Sequence, residues 1–501
     1  MGAGPGDPGL ITVKAVECLN QADVVIYDFL ANPILLGYAS PEAEVIYVGK
    51  SASDHTLSQQ EINELIVRKA LEDKVVVRLK GGDPFIFGRG GEEAEELIQA
   101  GIDFEVVPGV TSAIAVPAYA GIPLTHREHT SSVAFITGHE DPTKAESSVD
   151  WDKIATGLGT LVFLMGVGNL PRIASRLIEA GRAANTPAAV IRWGTTPDQT
   201  TVTGTLEDIA SKVQAAALKP PAILVVGGVV GLRSILNWYE SLPLFGKRIM
   251  VTRTRAQASV LSSALTGLGA GVMECPTIRL APPEDWSLID RALDELAGFD
   301  WLVLTSPNGV DFLFERIREK GLDARVMAPV KLAVIGSGTA DRLERFGLKA
   351  DLIPEEFVAE DLARTLISTG VSGRRILLAR SAQARTMLPG ELIKAGAEVH
   401  DLALYQTLPA EGMPEGARAA FEQDQLDLVT FTSSSTVSSL MELLDGSQQE
   451  IVSKIKAACI GPITARTARE AGLDIVVEAG EYSIKGLVQA IREYYRPGDT
   501  R

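Results

Sequence analysis

Short runs of β-branched residues alternate with longer amphipathic stretches along the whole chain. The first part reads ADVVIYD, QQEINELIVRKALE, KVVVRLKGG and EEAEELIQAG in that order. Strand-length runs that alternate with helix-length patterns predict β-α units with parallel strands. Gly, Ser, Thr or Asp repeatedly follows a predicted strand, and open α/β folds bind ligands at the carboxyl edge of the sheet. The sequence therefore predicts an α/β protein whose chemistry lies at its strand ends.

The size and the charge of the chain limit the classes of protein to which it can belong. It has 501 residues, of which 46% are hydrophobic and 22% are charged, and its formal net charge is −17. This length is typical of two to four domains. Binding to nucleic acid or to an anionic membrane surface depends on an excess of Lys and Arg, whereas this chain is acidic. We therefore expect neither kind of partner.

The sequence indicates neither a membrane anchor nor a metal site. The longest apolar runs, such as AILVVGGVVGL, are shorter than the ~20 residues of a membrane-spanning helix, and we see no signal-peptide pattern before the first motif. Cys18, Cys275 and Cys459 form neither a CxxC pair nor a metal-ligand pattern with His. These features predict a reduced, cytoplasmic protein that holds no metal.

A boundary and a repeat divide the chain. The stretch NWYESLPLFG lacks periodicity and the strand-like KRIMVTR follows it, which predicts domains at 1–242 and 243–501. In the second domain, VTRTRAQA and LARSAQAR align Arg253 with Arg380, 127 residues apart, and TSPNGV and TSSSTV share that offset. IGSGTA and IGPITA match at an offset of 125. Such a repeat predicts two similar lobes with a ligand-binding cleft.

The chain opens with a glycine-rich stretch, GAGPGDPG. A dinucleotide-binding fingerprint has Gly at its first, third and sixth positions, so that the backbone can approach a pyrophosphate. Asp7 occupies the sixth position here. The stretch therefore indicates a cofactor loop, but one for a ligand that tolerates a carboxylate rather than for NAD.

The run VVVRLKGGDPFIFGRGGEEAEEL, residues 75–97, carries the most information in the first domain. A predicted strand ends at Arg78 and Lys80, two glycines allow a close approach of the backbone, and Asp83 follows. Further strand-end motifs are ADVVIYD, VGK, VVPGVTSA, GIPLTHR, LMG and WGTTPDQ. One glycine turn of this kind is common, whereas the whole set points to a ligand-binding edge.

Residues 1 to about 240 resemble the uroporphyrinogen-III C-methyltransferases of the tetrapyrrole methylase family, through GGDPFIFGRGGEE, VPGVTSA, GIPLTHR and GTL. The resemblance implies that S-adenosylmethionine is the cofactor, held mainly by backbone groups between two α/β subdomains. It implies that Asp28 and Lys50 act as proton acceptor and proton donor. The cofactor contacts that it implies are Pro5, Gly81, Gly82, Asp83, Ile86, Thr111, Ser112, Met165 and Gly194.

The substrate of that family is a polycarboxylated reduced tetrapyrrole, which needs cations in an otherwise acidic protein. The candidates are Arg78, Lys80, Arg89, Arg127 and His126. Each of them can also cap a helix or form a surface ion pair, and this alternative stays open. Met165 and Ile86 are residue types common in cores, so their assignment rests on the resemblance alone. We interpret His139 as structural.

The N-terminus departs from the family pattern. Family members begin with an apolar strand of the form VYLV that leads directly into the glycine loop, whereas this sequence starts inside the loop at Met1. A strand within a sheet has hydrogen bonds on both sides. The free energy lost with such a strand would exceed the stability of a domain, which is about 5–15 kcal/mol. We therefore expect the natural coding start to lie upstream.

Ser, Thr and Gly follow the predicted strands of the second domain, in TSPNG, GSGTA, FTSSSTV and GPITA. His400 is the one histidine of this domain, and no catalytic triad is recognisable. Hydroxyl groups and backbone N–H groups at helix N-termini bind anions. The alternative is that Thr305, Ser306, Thr432 and Ser433 only cap their helices, which is a common role for these residue types.

Residues from about 246 to 501 resemble uroporphyrinogen-III synthase, through VTR, TSPNGV, IGSGTA, LYQT, FTSSSTV and IGPITA. The resemblance implies a bilobed enzyme that closes hydroxymethylbilane to uroporphyrinogen III with inversion of the last ring, without a cofactor. It implies one lobe from about 246–280 and 408–498, with the middle forming the other. It also implies that Tyr405 assists loss of the substrate hydroxyl and that Ser306, Asn308 and Ser433 bind carboxylates.

Together the two resemblances predict a bifunctional enzyme that makes uroporphyrinogen III and methylates it twice to precorrin-2, for siroheme or cobalamin synthesis. Dimers through the methyltransferase domain are usual in that family. One alternative is that the first domain methylates a later corrin precursor or ribosomal RNA, although the acidic charge and the full GGDPFIFGRGGEE run speak against RNA. The other is that the second domain is a non-catalytic tetrapyrrole-binding module, although Tyr405 and the intact loops favour an enzyme.

Overall fold

The computed structural model describes residues 1–49, 57–139, 149–252, 255–356, 358–410, 412–444, 452 and 454–496. They form two compact units. The first comprises Met1–Ile249, Ser263–Val272 and the segment that starts at Arg492, and the second comprises Met250–Ser262 and Met273–Ile491. Both units combine helices with β-sheets, which confirms the predicted α/β class. A membrane-spanning helix, which would need both length and an apolar sequence, does not occur in these ranges.

The N-terminal part of the first unit is a three-stranded parallel sheet flanked by helices. Its elements are α1 (Val13–Gln21), β1 (Val24–Tyr27), β2 (Glu44–Tyr47), α2 (Gln59–Ala70), β3 (Val76–Leu79) and α3 (Gly90–Gln99), and the strand order is β2-β1-β3. Val25 of β1 is buried in one cluster with Leu19 of α1, and Ile26 in another with Ile66 of α2. The β-branched run is therefore apolar on both faces because helices cover both.

The following part of the first unit, up to α8, is built on a five-stranded mixed sheet. Its elements are α4 (Ser112–Tyr119), β4 (Val133–Thr137), α5 (Trp151–Gly157), β5 (Thr160–Leu164), α6 (Leu170–Glu179), β6 (Pro187–Arg192), β7 (Thr200–Thr205), α7 (Ile209–Ala215), β8 (Ala222–Val226) and α8 (Arg233–Leu236). The strand order is β4-β5-β8-β6-β7, and β8 runs antiparallel to both β5 and β6. Strands β5 and β6 therefore end at the same edge.

From Arg248 onward the chain forms two five-stranded sheets. The strands are β9 (Arg248–Val251), β10 (Gly271–Glu274), β11 (Ile278–Ala281), β12 (Trp301–Leu304), β13 (Lys331–Val334), β14 (Arg375–Ser381), β15 (Glu398–Pro409), β16 (Leu428–Phe431), β17 (Lys456–Cys459) and β18 (Asp474–Glu478). The helices are α9 (Arg255–Gly267), α10 (Ser287–Asp294), α11 (Pro307–Glu319), α12 (Ser337–Glu344), α13 (Ala359–Ser368), α14 (Met387–Lys394), α15 (Glu415–Glu422), α16 (Ser434–Leu443), α17 (Pro462–Glu470) and α18 (Ile484–Tyr494). The sheet orders are β10-β9-β16-β17-β18 in lobe A and β11-β15-β14-β12-β13 in lobe B.

The sequence repeat matches these two sheets strand by strand. An offset of 127 residues relates β9 to β14, β10 to β15 and β12 to β16, and an offset of 125 relates β13 to β17. Related strands hold the same places, since β10-β9-β16-β17 in lobe A corresponds to β15-β14-β12-β13 in lobe B. The predicted lobes are confirmed except at one boundary. Strand β11 was predicted for lobe A but pairs with residues 406–409 in lobe B, because β15 extends beyond its counterpart β10 and offers that edge.

Candidate functional site

Two predicted site residues stand side by side where strands of the N-terminal sheet end. Tyr27 pairs with Leu79, so Asp28 and Lys80 directly follow neighbouring positions on β1 and β3. One carboxylate oxygen of Asp28 accepts a hydrogen bond from the backbone N–H of Leu30 at 3.1 Å, and the other accepts one from Nη2 of Arg78 at 3.0 Å. Lys50, which follows β2 in the sequence, lies outside the described residues.

Arg78 and Lys80 belong to a buried cluster of charges. Nζ of Lys80 lies 2.6 Å from Oε1 of Glu93, and Nε of Arg78 lies 3.3 Å from the same oxygen. Lys80 is only 6% exposed, and burial, followed by the neighbouring Arg78, lowers the pKa of its ammonium group. The cluster holds two cations and two carboxylates, Asp28 included. This geometry does not support the interpretation of Arg78 and Lys80 as free substrate ligands, because carboxylates of the protein already pair with both.

The glycines of the GGD motif are required by close packing and by backbone conformation. A Cβ on Gly81 would lie 2.4 Å from Cβ of Leu30, and Gly82 has a φ of +67°. Asp83 braces the turn, since its two carboxylate oxygens accept the backbone N–H of Phe85 at 2.8 Å and of Gly109 at 3.0 Å. Gly81 is therefore required by its close contact with Leu30. Asp83 fixes the loop through hydrogen bonds from two backbone N–H groups.

The segment from Gly109 to Ser112 packs against this turn. A Cβ on Gly109 would lie 2.3 Å from the carbonyl oxygen of Gly82, and one on Gly82 would lie 3.6 Å from the backbone nitrogen of Ser112. Thr111 is the N-cap of α4, and its hydroxyl accepts the backbone N–H of Ala113 at 3.3 Å. Thr111 and Ser112 thus begin α4 next to the GGD turn.

Met165 and Gly194 follow two strands that end at one edge of the five-stranded sheet. Leu164 of β5 and Ile191 of β6 both pair with Ile223 of β8, from opposite sides, so the two strand ends are about 10 Å apart. Met165 is 53% exposed and has a φ of +56°. A Cβ on Gly194 would lie 2.3 Å from Val116 of α4.

Left-handed backbone conformations gather at these loops. Phe87, Arg89, Met165, Trp193 and Thr195 all have positive φ although none is glycine. Such residues are strained by about 1–3 kcal/mol each, and they concentrate at ligand-binding sites. The conformations mark the loops after β3, β5 and β6 as a candidate functional region.

The opening glycine loop connects these elements. The backbone N–H of Gly82 donates to the carbonyl of Gly4 at 2.7 Å, and the side-chain amide of Asn32 donates to the carbonyl of Gly6 at 2.8 Å. A Cβ on Gly6 would lie 2.8 Å from the methyl group of Thr196. We call the segments 4–7, 81–83, 109–112 and 193–196 the glycine cradle. The cradle brings together seven predicted cofactor contacts: Pro5, Gly81, Gly82, Asp83, Thr111, Ser112 and Gly194.

The other two predicted contacts and the remaining cations lie at exposed positions. Ile86 is 38% exposed and sits between two exposed phenylalanines, Phe85 and Phe87. Arg89 forms a bidentate ion pair with Glu92 on the surface, with Nε 2.9 Å from Oε1 and Nη2 2.6 Å from Oε2. Arg127 is exposed in a tight turn between His126 and Thr130, and the described residues include no partner for its guanidinium group.

In the second unit, Ser306 and Ser433 occupy equivalent places in the two lobes. They are the N-caps of α11 and α16, where their hydroxyls accept the backbone N–H of Gly309 at 3.0 Å and of Thr436 at 3.3 Å. The capping alternative is therefore realised for both residues. Asn308 is the second residue of α11.

The two serines differ in their side-chain partners. The hydroxyl of Ser306 lies 3.0 Å from the hydroxyl of Tyr405, whereas that of Ser433 lies 2.9 Å from Ser435. Tyr405 is 6% exposed, and its ring stacks on Phe312 at 5.4 Å between centroids and 10° between planes. The β-strand register shifts just before Tyr405 pairs with Ser381. This irregularity singles out Tyr405 within an otherwise regular strand.

Sequence reasoning missed three contributors to these sites. Glu93 is one of several acids in a helical pattern, Tyr119 lies within an apolar helix, and Phe312 lies in the middle of α11. None of them ends a strand, which was the signal used for the other candidates. Glu93 contacts Lys80, and Tyr119 contacts Asp7. Phe312 stacks on Tyr405.

Comparisons with known proteins agree with both resemblances. The family model for tetrapyrrole (corrin/porphyrin) methylases matches residues 1–210, and that for uroporphyrinogen-III synthase HemD matches residues 259–489. A porphyrin biosynthesis protein HemD of Ruminiclostridium josui is 38% identical over 494 residues, which cover 98% of this chain and 97% of the relative. An S-adenosyl-L-methionine-dependent uroporphyrinogen III methyltransferase of Methanosarcina barkeri is 58% identical over 237 residues, 47% of this chain and 93% of the relative. The crystal structure of uroporphyrin-III C-methyl transferase from Thermus thermophilus with S-adenyl homocysteine is 40% identical, covers 46% of this chain and 97% of that one, and has a TM-score of 0.40.

Proposed function

The chain belongs to the tetrapyrrole methylase family through its first part and to the uroporphyrinogen-III synthase family through its second, and we propose that the two parts catalyse consecutive steps. Both predicted enzyme types and the predicted cofactor, S-adenosylmethionine, agree with the relatives. In the proposed sequence, the second part closes hydroxymethylbilane to uroporphyrinogen III. The first part then methylates that product at two pyrrole carbons to give precorrin-2.

The observation that carries the proposal is the position of Asp28 beside the glycine cradle. Leu30, which donates its N–H to Asp28, is also the residue against which Gly81 packs. A carboxylate that can take a proton therefore lies next to the loops proposed to hold a methyl donor. Proton removal and methyl transfer are the two events needed when a pyrrole carbon acquires a methyl group.

The residues of the glycine cradle fit S-adenosylmethionine. They offer backbone groups at positions where glycine is required, and neighbouring loops add exposed apolar side chains at Ile86 and Met165. Asp83, at the GGD turn, provides a negative charge that suits a cationic sulfonium. When bound, this cofactor supplies an electrophilic methyl group whose leaving group needs no protonation. The chain's own contribution is then to orient the acceptor carbon and to exclude water.

We assign Asp28 as the proton acceptor and Arg78 as the residue that positions it. Arg78 bonds to Asp28 and to Glu93, and its Nη1 donates to the carbonyl of Leu79 at 3.0 Å. With one hydrogen bond to each oxygen, the Asp28 carboxylate keeps lone pairs available for a proton. Lys50 remains the proposed proton donor.

We assign substrate carboxylates to the exposed cations, Arg89 and Arg127. The ion pair of Arg89 with Glu92 is exposed, and such pairs contribute at most about 1 kcal/mol, so a substrate carboxylate can replace Glu92. Lys80 and Arg78 are instead held in the interior by Glu93. Removing a buried charge from its partner is costly, which favours a supporting role for these two cations.

In the synthase part we assign Tyr405 to the loss of the substrate hydroxyl. Ser306 hydrogen-bonds the Tyr405 hydroxyl and Phe312 holds its ring, so the phenol has a fixed direction. The phenol donates a proton to the substrate hydroxyl, which leaves as water and gives a stabilised azafulvene cation. Ring closure then requires control of shape rather than a strong base, and the proton that it releases restores the phenol. Ser433 and Asn308 are proposed to bind substrate carboxylates.

Three further features belong to the proposal. We place the division between the two enzymes at residues 242 and 243, where the sequence loses its periodicity. We expect a homodimer through the methyltransferase part, as is usual in that family. We also expect a cytoplasmic location, because the cysteines are free and two of them, Cys275 and Cys459, are buried.

The methylation step is tested with uroporphyrinogen III, S-adenosylmethionine and the full-length chain, with product masses measured under anaerobic conditions. We expect addition of two methyl groups by the wild type, and a rate at least about a hundredfold lower for Asp28→Asn. Cyclisation of hydroxymethylbilane by the same variant should be unchanged, and binding of S-adenosylhomocysteine serves as the folding control for the methyltransferase part. If the wild type forms no methylated product, or if Asp28→Asn methylates as fast as the wild type, the assignment is contradicted.

A further inference from the structure

Asp7 is the acid that sets the opening loop apart from a dinucleotide-binding loop. Its Oδ1 accepts the backbone N–H of Gly9 at 2.8 Å, and its Oδ2 accepts the hydroxyl of Tyr119 at 2.6 Å. Its own backbone N–H donates to the hydroxyl of Thr195 at 3.0 Å. Both carboxylate oxygens and the amide of Asp7 are thus bonded within the protein.

Tyr119 reaches Asp7 from the last turn of α4. Its ring packs edge-on against Tyr239 and Trp238, at 4.8 and 5.0 Å between centroids, so the hydroxyl has a defined direction. Burial, followed by the hydrogen bond to Asp7, raises the pKa of this hydroxyl. The Tyr119 hydroxyl is the donor in its bond to Asp7.

Thr195 is held in a strained conformation at the other end. It is 2% exposed and has a φ of +70°, which a β-branched residue rarely adopts. Its backbone N–H donates to the side-chain oxygen of Gln199 at 2.9 Å. This support keeps the Thr195 hydroxyl in place as the acceptor for Asp7.

We propose that Asp7, Tyr119 and Thr195 form a latch that positions the two walls of the cofactor site. Asp7 is two residues from Pro5, and Thr195 follows Gly194, and these two neighbours are proposed cofactor contacts. The opening loop bonds to the N-terminal sheet through Lys80 and Gly82, whereas Tyr119 and Thr195 belong to the five-stranded part. The latch joins these two parts of the first unit. Its members act as positioning residues.

The test rests on the proposed function and uses the full chain with S-adenosylhomocysteine as the probe in titration calorimetry. Tyr119→Phe removes only the hydroxyl that bonds to Asp7. We expect its Kd to rise about tenfold, the effect of losing a hydrogen bond to a charged group. We expect kcat for methylation at saturating S-adenosylmethionine to stay within about twofold. Tyr38→Phe is the matched control, since no hydrogen-bond partner of the Tyr38 hydroxyl is found among the described residues.

A second set of variants tests the other bond of the latch. Thr195→Val removes the acceptor for the Asp7 N–H at nearly constant volume, whereas Thr195→Ser keeps it. We expect Thr195→Val to weaken binding of S-adenosylhomocysteine as much as Tyr119→Phe does, and Thr195→Ser to bind it with a Kd close to that of the wild type. The double variant Asp7→Ala, Tyr119→Phe should bind no more weakly than Asp7→Ala alone, because each substitution removes the same hydrogen bond between the two residues.

The outcomes separate the latch from the proposed function. An unchanged Kd in Tyr119→Phe, or a lower kcat with an unchanged Kd, overturns the latch. Failure of the wild type itself to bind S-adenosylhomocysteine contradicts the proposed cofactor instead. If Tyr119→Phe lacks a cooperative thermal transition, the comparison of Thr195→Val with Thr195→Ser decides, and equal Kd values for those two overturn the latch.

Discussion

Arg78 and Lys80 place two positive charges in the interior of the first unit, and one oxygen of Glu93 accepts a hydrogen bond from each. The sequence predicted the two cations, because they end a strand before a glycine turn. It could not predict Glu93, which is one of four acids in EEAEEL and differs from the others only in facing β3 once α3 is packed. Neighbours in space, which no local motif records, pair both cations with Glu93 and pair Arg78 with Asp28 as well.

The buried cluster predicts that two adjacent acids, Glu92 and Glu93, contribute very differently to the stability of the first unit. Glu93→Gln leaves Arg78 and Lys80 with Asp28 as the remaining carboxylate of the cluster, and breaking a buried ion pair costs about 3–5 kcal/mol. The Tm of the first unit should fall by about 6–20 °C for a domain of this size. Glu92→Gln removes only the exposed partner of Arg89 and is the matched control, with an expected change below about 1 kcal/mol. Similar Tm values for the two variants would show that the cluster does not stabilise the fold.

At the level of elements, the internal repeat carried most of the predictive information. It aligned β9 with β14 and β12 with β16, and those strands hold the same places in lobes A and B. The repeat could not predict that β15 continues to Pro409, because that extension has no counterpart in lobe A. The extension explains why β11 lies in lobe B, since it provides the edge with which β11 pairs, and it also carries Tyr405.

The equivalent helices α11 and α16 allow a test in which each variant controls the other. Ser306→Ala and Ser433→Ala each remove one N-cap, so both should lower the free energy of unfolding by about 1 kcal/mol. Only Ser306 bonds to Tyr405, so only Ser306→Ala should lower kcat for cyclisation, by about tenfold. The effect of Ser433→Ala should appear in KM. Equal kcat values for the two variants would remove Ser306 from the support of Tyr405.

At the scale of the whole molecule, two families in one chain imply two reactions joined by a common intermediate. Residues 1–210 and 259–489 match the two family models, and the relative from Ruminiclostridium josui aligns with 98% of the chain. Local motifs sufficed to predict this combination, since each enzyme has specific residues at its strand ends. The glycine cradle was predicted as a set of contacts, but its assembly was not, because Asp7, Tyr119 and Thr195 are brought together only by the packing of distant segments.

Both activities are tested together by incubating the full-length chain with hydroxymethylbilane, with and without S-adenosylmethionine, and identifying the tetrapyrroles formed. We expect uroporphyrinogen III in the absence of the cofactor and precorrin-2 in its presence. Formation of the isomer without ring inversion, at the rate seen with no protein, would contradict the synthase assignment. Uroporphyrinogen III that stays unmethylated when S-adenosylmethionine is present would contradict the methyltransferase assignment.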